Sequence, residues 1–156
     1  MIRPSSPVDA TALIALADSL GLFQPDELEM LSGMLAGYLS GNSDTGEFWL
    51  TDEDEEKGIL GVAYCVPERM TNGTWNLLFI AIRPDCQGQG RGAKLIRHVE
   101  QMLLARGAHL LLAETIAEFE QTRAFYRKCG YREEAQIRDF YEPGADKIIY
   151  CKALTE

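Results

Sequence analysis

Two spacings of apolar residues alternate along the chain. Leu13, Leu16 and Ala17 fall on one face of a helix predicted over Asp9–Leu20 and stopped at Gly21. Leu28, Leu31, Leu35 and Leu39 predict a second helix from Pro25 to about Ser40, with proline at its natural starting position. Gly92, Leu95, Ile96, Val99, Met102 and Leu103 give a third helix, Gly90–Arg106, ended by Gly107. A fourth, Glu118–Cys129, is closed by Gly130 with Tyr131 as the apolar residue after it. Apolar runs and alternations predict strands at Ile2–Pro4, Phe48–Thr51, Ile59–Val66, Thr74–Ile82, His109–Glu114, Glu133–Tyr141 and Lys147–Leu154. Gly41-Asn42-Ser43-Asp44, Pro67–Gly73 and Glu142–Asp146 read as turns, and Asp52–Gly58 as an acidic hairpin tip. The order is β-α-α-β-β-β-α-β-α-β-β, without repeats or low-complexity linkers. Residues 1–156 are expected to form a single domain.

Composition narrows the class. At 156 residues, with 46% hydrophobic and 25% charged residues, the chain is long enough for a core of its own. Its longest apolar stretches, Leu77–Ile82 and Leu110–Ala113, are too short to span a bilayer. Met1-Ile2-Arg3-Pro4-Ser5 lacks the apolar core of a signal peptide, so a cytoplasmic location away from membranes is expected. A net charge of −9 argues against nucleic acid as a partner. Cys65, Cys86, Cys129 and Cys151 form no CxxC pair and only His98 and His109 accompany them, so no metal site is expected. The thiols read as buried ones, with Cys86, in the loop before the glycines, the candidate for exposure.

The chemistry gathers where the strand ending at Ile82 runs through Arg83-Pro84-Asp85-Cys86 into Gln87-Gly88-Gln89-Gly90-Arg91-Gly92-Ala93 and the third helix. A glycine-rich loop opening a helix offers uncrowded N–H groups and a positive dipole end, an anion site suited to a pyrophosphate. Arg83, Arg91, Lys94 and Arg97 stand there against Asp85 alone. Cations in the first turns of a helix oppose its dipole, which fits a bound polyanion better than a stable solvated face. Gly92 is followed by Ala93-Lys94-Leu95 and not by Lys-Ser/Thr, which excludes the ATP-type P-loop. Gly88-x-Gly90-x-x-Ala93 fits the dinucleotide fingerprint, with Glu114 downstream. Arg83–Gln87 separate strand from glycine, however, and a series of parallel βα units is missing. A nicotinamide-dependent oxidoreductase is therefore a minor alternative.

Gln87-x-x-Gly90-x-Gly92 after Ile82-Arg83-Pro84 resembles the acetyl-CoA-binding motif of the GCN5-related N-acetyltransferase (GNAT) family, and Ala124-Phe125-Tyr126-Arg127-Lys128-Cys129-Gly130-Tyr131 is similar to that family's C-terminal helix and following strand. The resemblance covers residues 75–154 and implies an α/β (α+β) GNAT fold: a mixed, mostly antiparallel sheet of six to seven strands with about four helices on both faces. It implies transfer of acetyl from acetyl-CoA to a primary amine, directly in a ternary complex, the amine belonging to a small molecule or to a protein N-terminus or lysine. Gln87, Gly88, Gln89, Gly90, Arg91, Gly92, Ala93 and Lys94 would hold the pyrophosphate, and the backbone of Phe79, Ile80, Ala81 and Ile82 the pantetheine. Tyr126 takes the family's general-acid position near the CoA sulfur. On the helix, Phe125 is expected to enter the core and Tyr126 to turn about 100° away toward a cleft. Glu114, at a strand end before Tyr126, matches the catalytic glutamate of the ribosomal-protein alanine N-acetyltransferase branch. Arg138-Asp139-Phe140-Tyr141 with Asp146 resembles that branch's Arg-x-Tyr-Tyr…Asp acceptor strand, although Phe140 replaces the first tyrosine and Lys147 stands where a small residue is expected. The tip Asp52–Glu56 would attract a cationic amine unless it is only a solvated turn. A CoA-binding sensor or partner subunit without turnover is the alternative function, and the family makes a second copy of the chain an expected partner.

Overall fold

The predicted elements are present in the predicted order. The structure, a computed structural model, describes residues 1–41 and 46–155; the part of the first turn over Asn42–Asp44 lies outside them. In chain order the elements are β1 (Ile2–Pro4), α1 (Ala10–Ser19), α2 (Pro25–Leu39), β2 (Phe48–Asp54), β3 (Gly58–Pro67), β4 (Thr74–Ile82), α3 (Arg91–Ala105), β5 (Leu110–Ile116), α4 (Glu120–Lys128), β6 (Arg132–Glu142) and β7 (Ala145–Ala153). The seven strands follow the order β1-β2-β3-β4-β5-β7-β6. β4–β5 is parallel, and β1–β2, β2–β3, β5–β7 and β7–β6 are antiparallel. Among the described residues no helix is long and apolar enough to cross a membrane. The chain divides into two compact units, Met1–Val66 with Phe79–Val99, and Pro67–Leu78 with Glu100–Glu156.

In the first unit α1 and α2 lay Leu13, Leu16, Ala17, Leu31 and Leu35 against Trp49, Val62, Tyr64 and Ala81. Trp49 and Tyr64 stack with ring centroids 4.2 Å apart. A Cβ on Gly61 would lie 2.8 Å from Ile82 Cδ1 and 3.4 Å from Ala81 O, so the end of β4 packs closely over Gly61 and a side chain there would make Ile82 move aside. β2 runs past the predicted Thr51 to Asp54. The reason is charge compensation by distant residues. Asp52 is only 2% exposed, and its carboxylate meets Arg91 Nη1 at 3.0 Å. Asp54 meets the same guanidinium at 3.5 Å and Glu53 meets Arg3 at 3.1 Å. The expectation of an acidic tip over Asp52–Glu56 is thereby corrected. Two of its carboxylates belong to Arg91, and Asp54 also accepts the tip amides of Glu56 and Lys57. Those amides, that of Lys57 first, hold Asp54 below the usual carboxylate range.

In the second unit the first half of β4 pairs with β5, placing Asn76 opposite Leu112, and β5 pairs with β7, placing Glu114 opposite Ile149 and Ile116 opposite Lys147. β6 pairs with β7 as far as Ile137 opposite Lys147 and resumes only at Glu142 opposite Ala145. Residues 138–141 therefore leave the ladder as an extended bulge. Asp146 holds this bulge, accepting Asp139 N at 3.0 Å and Gln136 Nε2 at 2.7 Å. Asp139 sits at φ 57° and its side chain accepts Gly144 N, the local bonding that lets aspartate adopt the left-handed region. α4 ends in a Schellman motif: Tyr131 N donates to Tyr126 O and Gly130 N to Arg127 O, with Gly130 at φ 90°. Tyr131 then packs on Tyr126 with centroids 5.8 Å apart.

Candidate active site

The glycine loop lies in the first unit. Gly88 and Gly90 have φ of 77° and 81°, values that ordinary side chains disfavour, and nothing lies within 4 Å of where their Cβ atoms would be. The first bond of α3 runs from Lys94 N to Gly90 O, so the N–H groups of Arg91, Gly92 and Ala93 precede any intrahelical partner. Among the described residues Lys94 and Arg97 are exposed and meet no carboxylate, whereas Arg83 is bound by Asp85 at 2.7 Å and Arg91 by Asp52 and Asp54. The basic patch read from the sequence is thus reduced to Lys94, Arg97 and the helix terminus. Gln87 spends its amide within the loop, donating to Ile82 O at 2.9 Å and fixing the turn out of β4. Cys86, the one thiol singled out as a candidate for exposure, is 1% exposed; the short Pro84–Cys86 turn directs it inward, and Arg83 reaches its sulfur. Among the described residues the loop offers N–H groups without an intrahelical partner, the cations Lys94 and Arg97 without a carboxylate, and space beside its glycines, which fits a pyrophosphate.

Glu114 and Tyr126 lie in the second unit. The strand does not stop at Glu114: β5 continues through Thr115 and Ile116, both paired to β7, so the carboxylate projects from within a ladder. Its Oε1 accepts Asn76 Nδ2 at 3.2 Å, and its Oε2 accepts the Tyr141 hydroxyl at 3.2 Å and meets Lys147 Nζ at 2.9 Å. Asn76 and Leu112 are cross-strand partners, and Glu114 is two residues further along the same face, which explains the first contact. The second and third come from the bulge, which turns Tyr141 toward Glu114, and from Lys147, whose ammonium also sits 4.0 Å from the Phe140 ring centroid. Asn76 Nδ2 also reaches Glu68 at 3.1 Å, while among the described residues its buried Oδ1 has no hydrogen-bond partner.

Tyr126 reverses the expected orientation. It is 2% exposed, whereas Phe125 is half-buried. Its ring lies 5.0 Å from that of Tyr150 and 5.4 Å from that of Phe125. Helical spacing separated the two side chains by the right angle but could not say which direction holds the core. Here Tyr131 and Tyr150 build the core on the Tyr126 side. Burial, then the charge of Glu114, raises the Tyr126 hydroxyl above its ordinary value, so it stays neutral. Among the described residues no side chain hydrogen-bonds that hydroxyl. Asn76 is the site neighbour that the sequence reading missed; a polar residue inside the run Trp75–Ile82 was its only signal. Lys147 and Tyr141 were noticed there, but not their convergence on Glu114. Among the described residues no group of three or more His, Cys, Asp or Glu could hold a metal ion.

The acetyltransferase (GNAT) family model matches residues 15–131. The [ribosomal protein bS18]-alanine N-acetyltransferase of Escherichia coli is 32% identical over 104 residues, 67% of this chain and 68% of that protein. The match to an N-acetyltransferase of Methanocaldococcus jannaschii is 26% identical over 81 residues and spans only about half of each, 51% of this chain and 52% of the relative. Among solved structures, a GNAT-family acetyltransferase from Desulfovibrio desulfuricans superposes with a TM-score of 0.90 at 31% identity, covering 99% of both chains. An acetyltransferase from Salmonella typhimurium, solved with its cofactor acetyl-CoA, shares the fold with a TM-score of 0.76 at 19% identity, over 100% of this chain and 94% of the other. The chain belongs to the acetyltransferase (GNAT) family.

Proposed function

We propose that the chain, acting as one catalytic domain, transfers acetyl from acetyl-CoA to a primary amine by direct attack in a ternary complex. The N–H groups of Arg91, Gly92 and Ala93, with the loop Gln87–Gly90 and Lys94, bind the pyrophosphate. The backbone of Phe79–Ile82 binds the pantetheine, although Ile82 O already accepts the Gln87 amide. Acetyl-CoA supplies the activated carbonyl; the protein supplies placement and proton management. Glu114 takes the proton of the acceptor amine. Tyr126 gives its proton to the leaving thiolate.

The observation that carries this reading is the pair itself: a buried tyrosine kept neutral, with a hydroxyl that no side chain occupies, inside the field of a hydrogen-bonded glutamate. Such a hydroxyl holds its proton until negative charge develops beside it. The acceptor is a small amine or a protein N-terminus or lysine, the alanine N-acetyltransferase relative favouring the protein N-terminus. The test is thiol release from acetyl-CoA over a panel of amines and N-terminal peptides. The expected result is turnover with one acceptor class and a fall in kcat of about a hundred-fold or more in Tyr126→Phe. Full turnover in that variant would remove Tyr126 from the mechanism. CoA binding without thiol release would favour a sensor.

A further inference from the structure

Lys147 Nζ is the amine that already sits on the carboxylate assigned to deprotonate amines. It lies 2.9 Å from Glu114 Oε2, and the two side chains are 13% and 14% exposed. The Phe140 ring lies 4.0 Å away on the same ammonium, and the Tyr141 hydroxyl shares the Glu114 oxygen. The other lysines are elsewhere. Lys57, Lys94 and Lys128 are exposed, and Lys152 is bound to Glu100 and to Cys129 O. The pairing of β7 with β5 and β6 at position 147 is a backbone matter, so the fold does not call for a primary amine at this point.

We propose that Lys147 is an acceptor in its own right and that the chain acetylates its own Lys147 Nζ. The proposal rests on the reading of Glu114 as the group that takes the acceptor's proton. The Lys147 ammonium gives one proton along its existing hydrogen bond to Glu114, which returns it to solvent. The neutral nitrogen attacks the thioester carbonyl of acetyl-CoA; the C–N bond forms and the C–S bond breaks. The second surplus proton on nitrogen leaves through Glu114, and the thiolate takes the proton of Tyr126, which is then reprotonated. The balance is Lys147 ammonium plus acetyl-CoA giving Nε-acetyl-Lys147, CoA thiol and one proton. The product amide has no charge, so it releases both Glu114 and the face of Phe140.

The experiment incubates the purified chain with acetyl-CoA and no added amine, followed by intact mass and peptide mapping. Chemical acetylation favours exposed, unpaired lysines, so the order of modification separates the two routes. The expected result is one acetyl group on Lys147 before Lys57, Lys94 or Lys128, at a rate per molecule independent of protein concentration. Glu114→Gln slows it about a hundred-fold, and Lys147→Arg takes up no early acetyl group. Modification of the exposed lysines first, or a rate per molecule that rises with protein concentration, overturns the proposal. Thiol release with an added amine but an unmodified Lys147 overturns this inference alone. Absence of both thiol release and lysine acetylation overturns the underlying reading as well.

Discussion

Asn76 holds Glu68 and Glu114 with one amide nitrogen and leaves its own buried carbonyl oxygen without a partner among the described residues. An unsatisfied buried acceptor costs about 1–3 kcal/mol, which the two bonds from Nδ2 to carboxylates offset. The same amide fixes Glu114 Oε1, and thereby the direction of Oε2. Asn76→Leu removes the orphan oxygen together with the bonds to Glu68 and Glu114. The expected outcome is unchanged or higher thermal stability with kcat lower by about ten-fold, the effect of losing one hydrogen bond to a charged group. Calorimetry and steady-state kinetics on one preparation check the pair of effects, and an unchanged KM for acetyl-CoA separates the orientation of Glu114 from damage to the glycine loop. At this scale the sequence was partly legible. Gly130, Tyr126 and Glu114 could be singled out from their immediate neighbours. The surroundings of Tyr126 could not, because Tyr131 and Tyr150 reach it through a helix cap and a strand that local spacing does not connect.

Among elements, α4 is stopped by Gly130, and that stop sets the height of Tyr126 in its tyrosine cluster. The cap bonds Tyr131 N to Tyr126 O, so the side chain that packs on Tyr126 is delivered by the turn itself. Gly130→Ala has room for its Cβ, 3.6 Å from the Lys152 side chain, but not the backbone freedom that φ 90° asks for. It should destabilise by about 1–2 kcal/mol, a fall in Tm of about 2–8 °C for a chain of this size, measurable by thermal unfolding. The helix stops were readable because glycine after a periodic run has few other uses. β2 was cut short because Asp52-Glu53-Asp54 reads as a polar turn unless Arg91 and Arg3 are known to face it. The continuation of β5 past Glu114 was hidden in the same way, since its pairing to Ile148 and Lys147 is a long-range fact.

Across the whole molecule, the acidic excess is held by pairing, and this sets the pH range of stability. Arg3, hydrogen-bonded to Asp9, holds that carboxyl below the usual range despite its burial. Arg123, with the Tyr150 hydroxyl and Arg127, brings Glu133 down to about 2. A carboxyl whose folded pKa is depressed stabilises the fold above its unfolded value, near 4.5 for Glu133, and that contribution is lost as pH falls toward about 2. At the other end burial pushes Tyr150 up to about 12 and raises Tyr64, Tyr131 and Tyr141 as well. Those contributions are complete below the unfolded value of 10.0 and are lost as pH rises through the folded one. Thermal unfolding against pH should show a plateau between about pH 5 and 10 with a fall on each side. Glu133→Gln should lower the plateau and flatten the acid limb; an unchanged acid limb would mean that the Arg123–Glu133 pair is not held in solution.

The bulge of residues 138–141 separates two kinds of change. Its residues leave the β6–β7 ladder, and the Asp146 carboxylate, not strand pairing, keeps it in place. Phe140 and Tyr141 therefore sit on a segment that can be rewritten while the register of the strands stays as it is, the change being felt at Glu114 through the Tyr141 hydroxyl. Descent and engineering meet the same opportunity here. Four surface residues can thus be exchanged without disturbing the strand pairing, provided the aspartate that clasps them is kept.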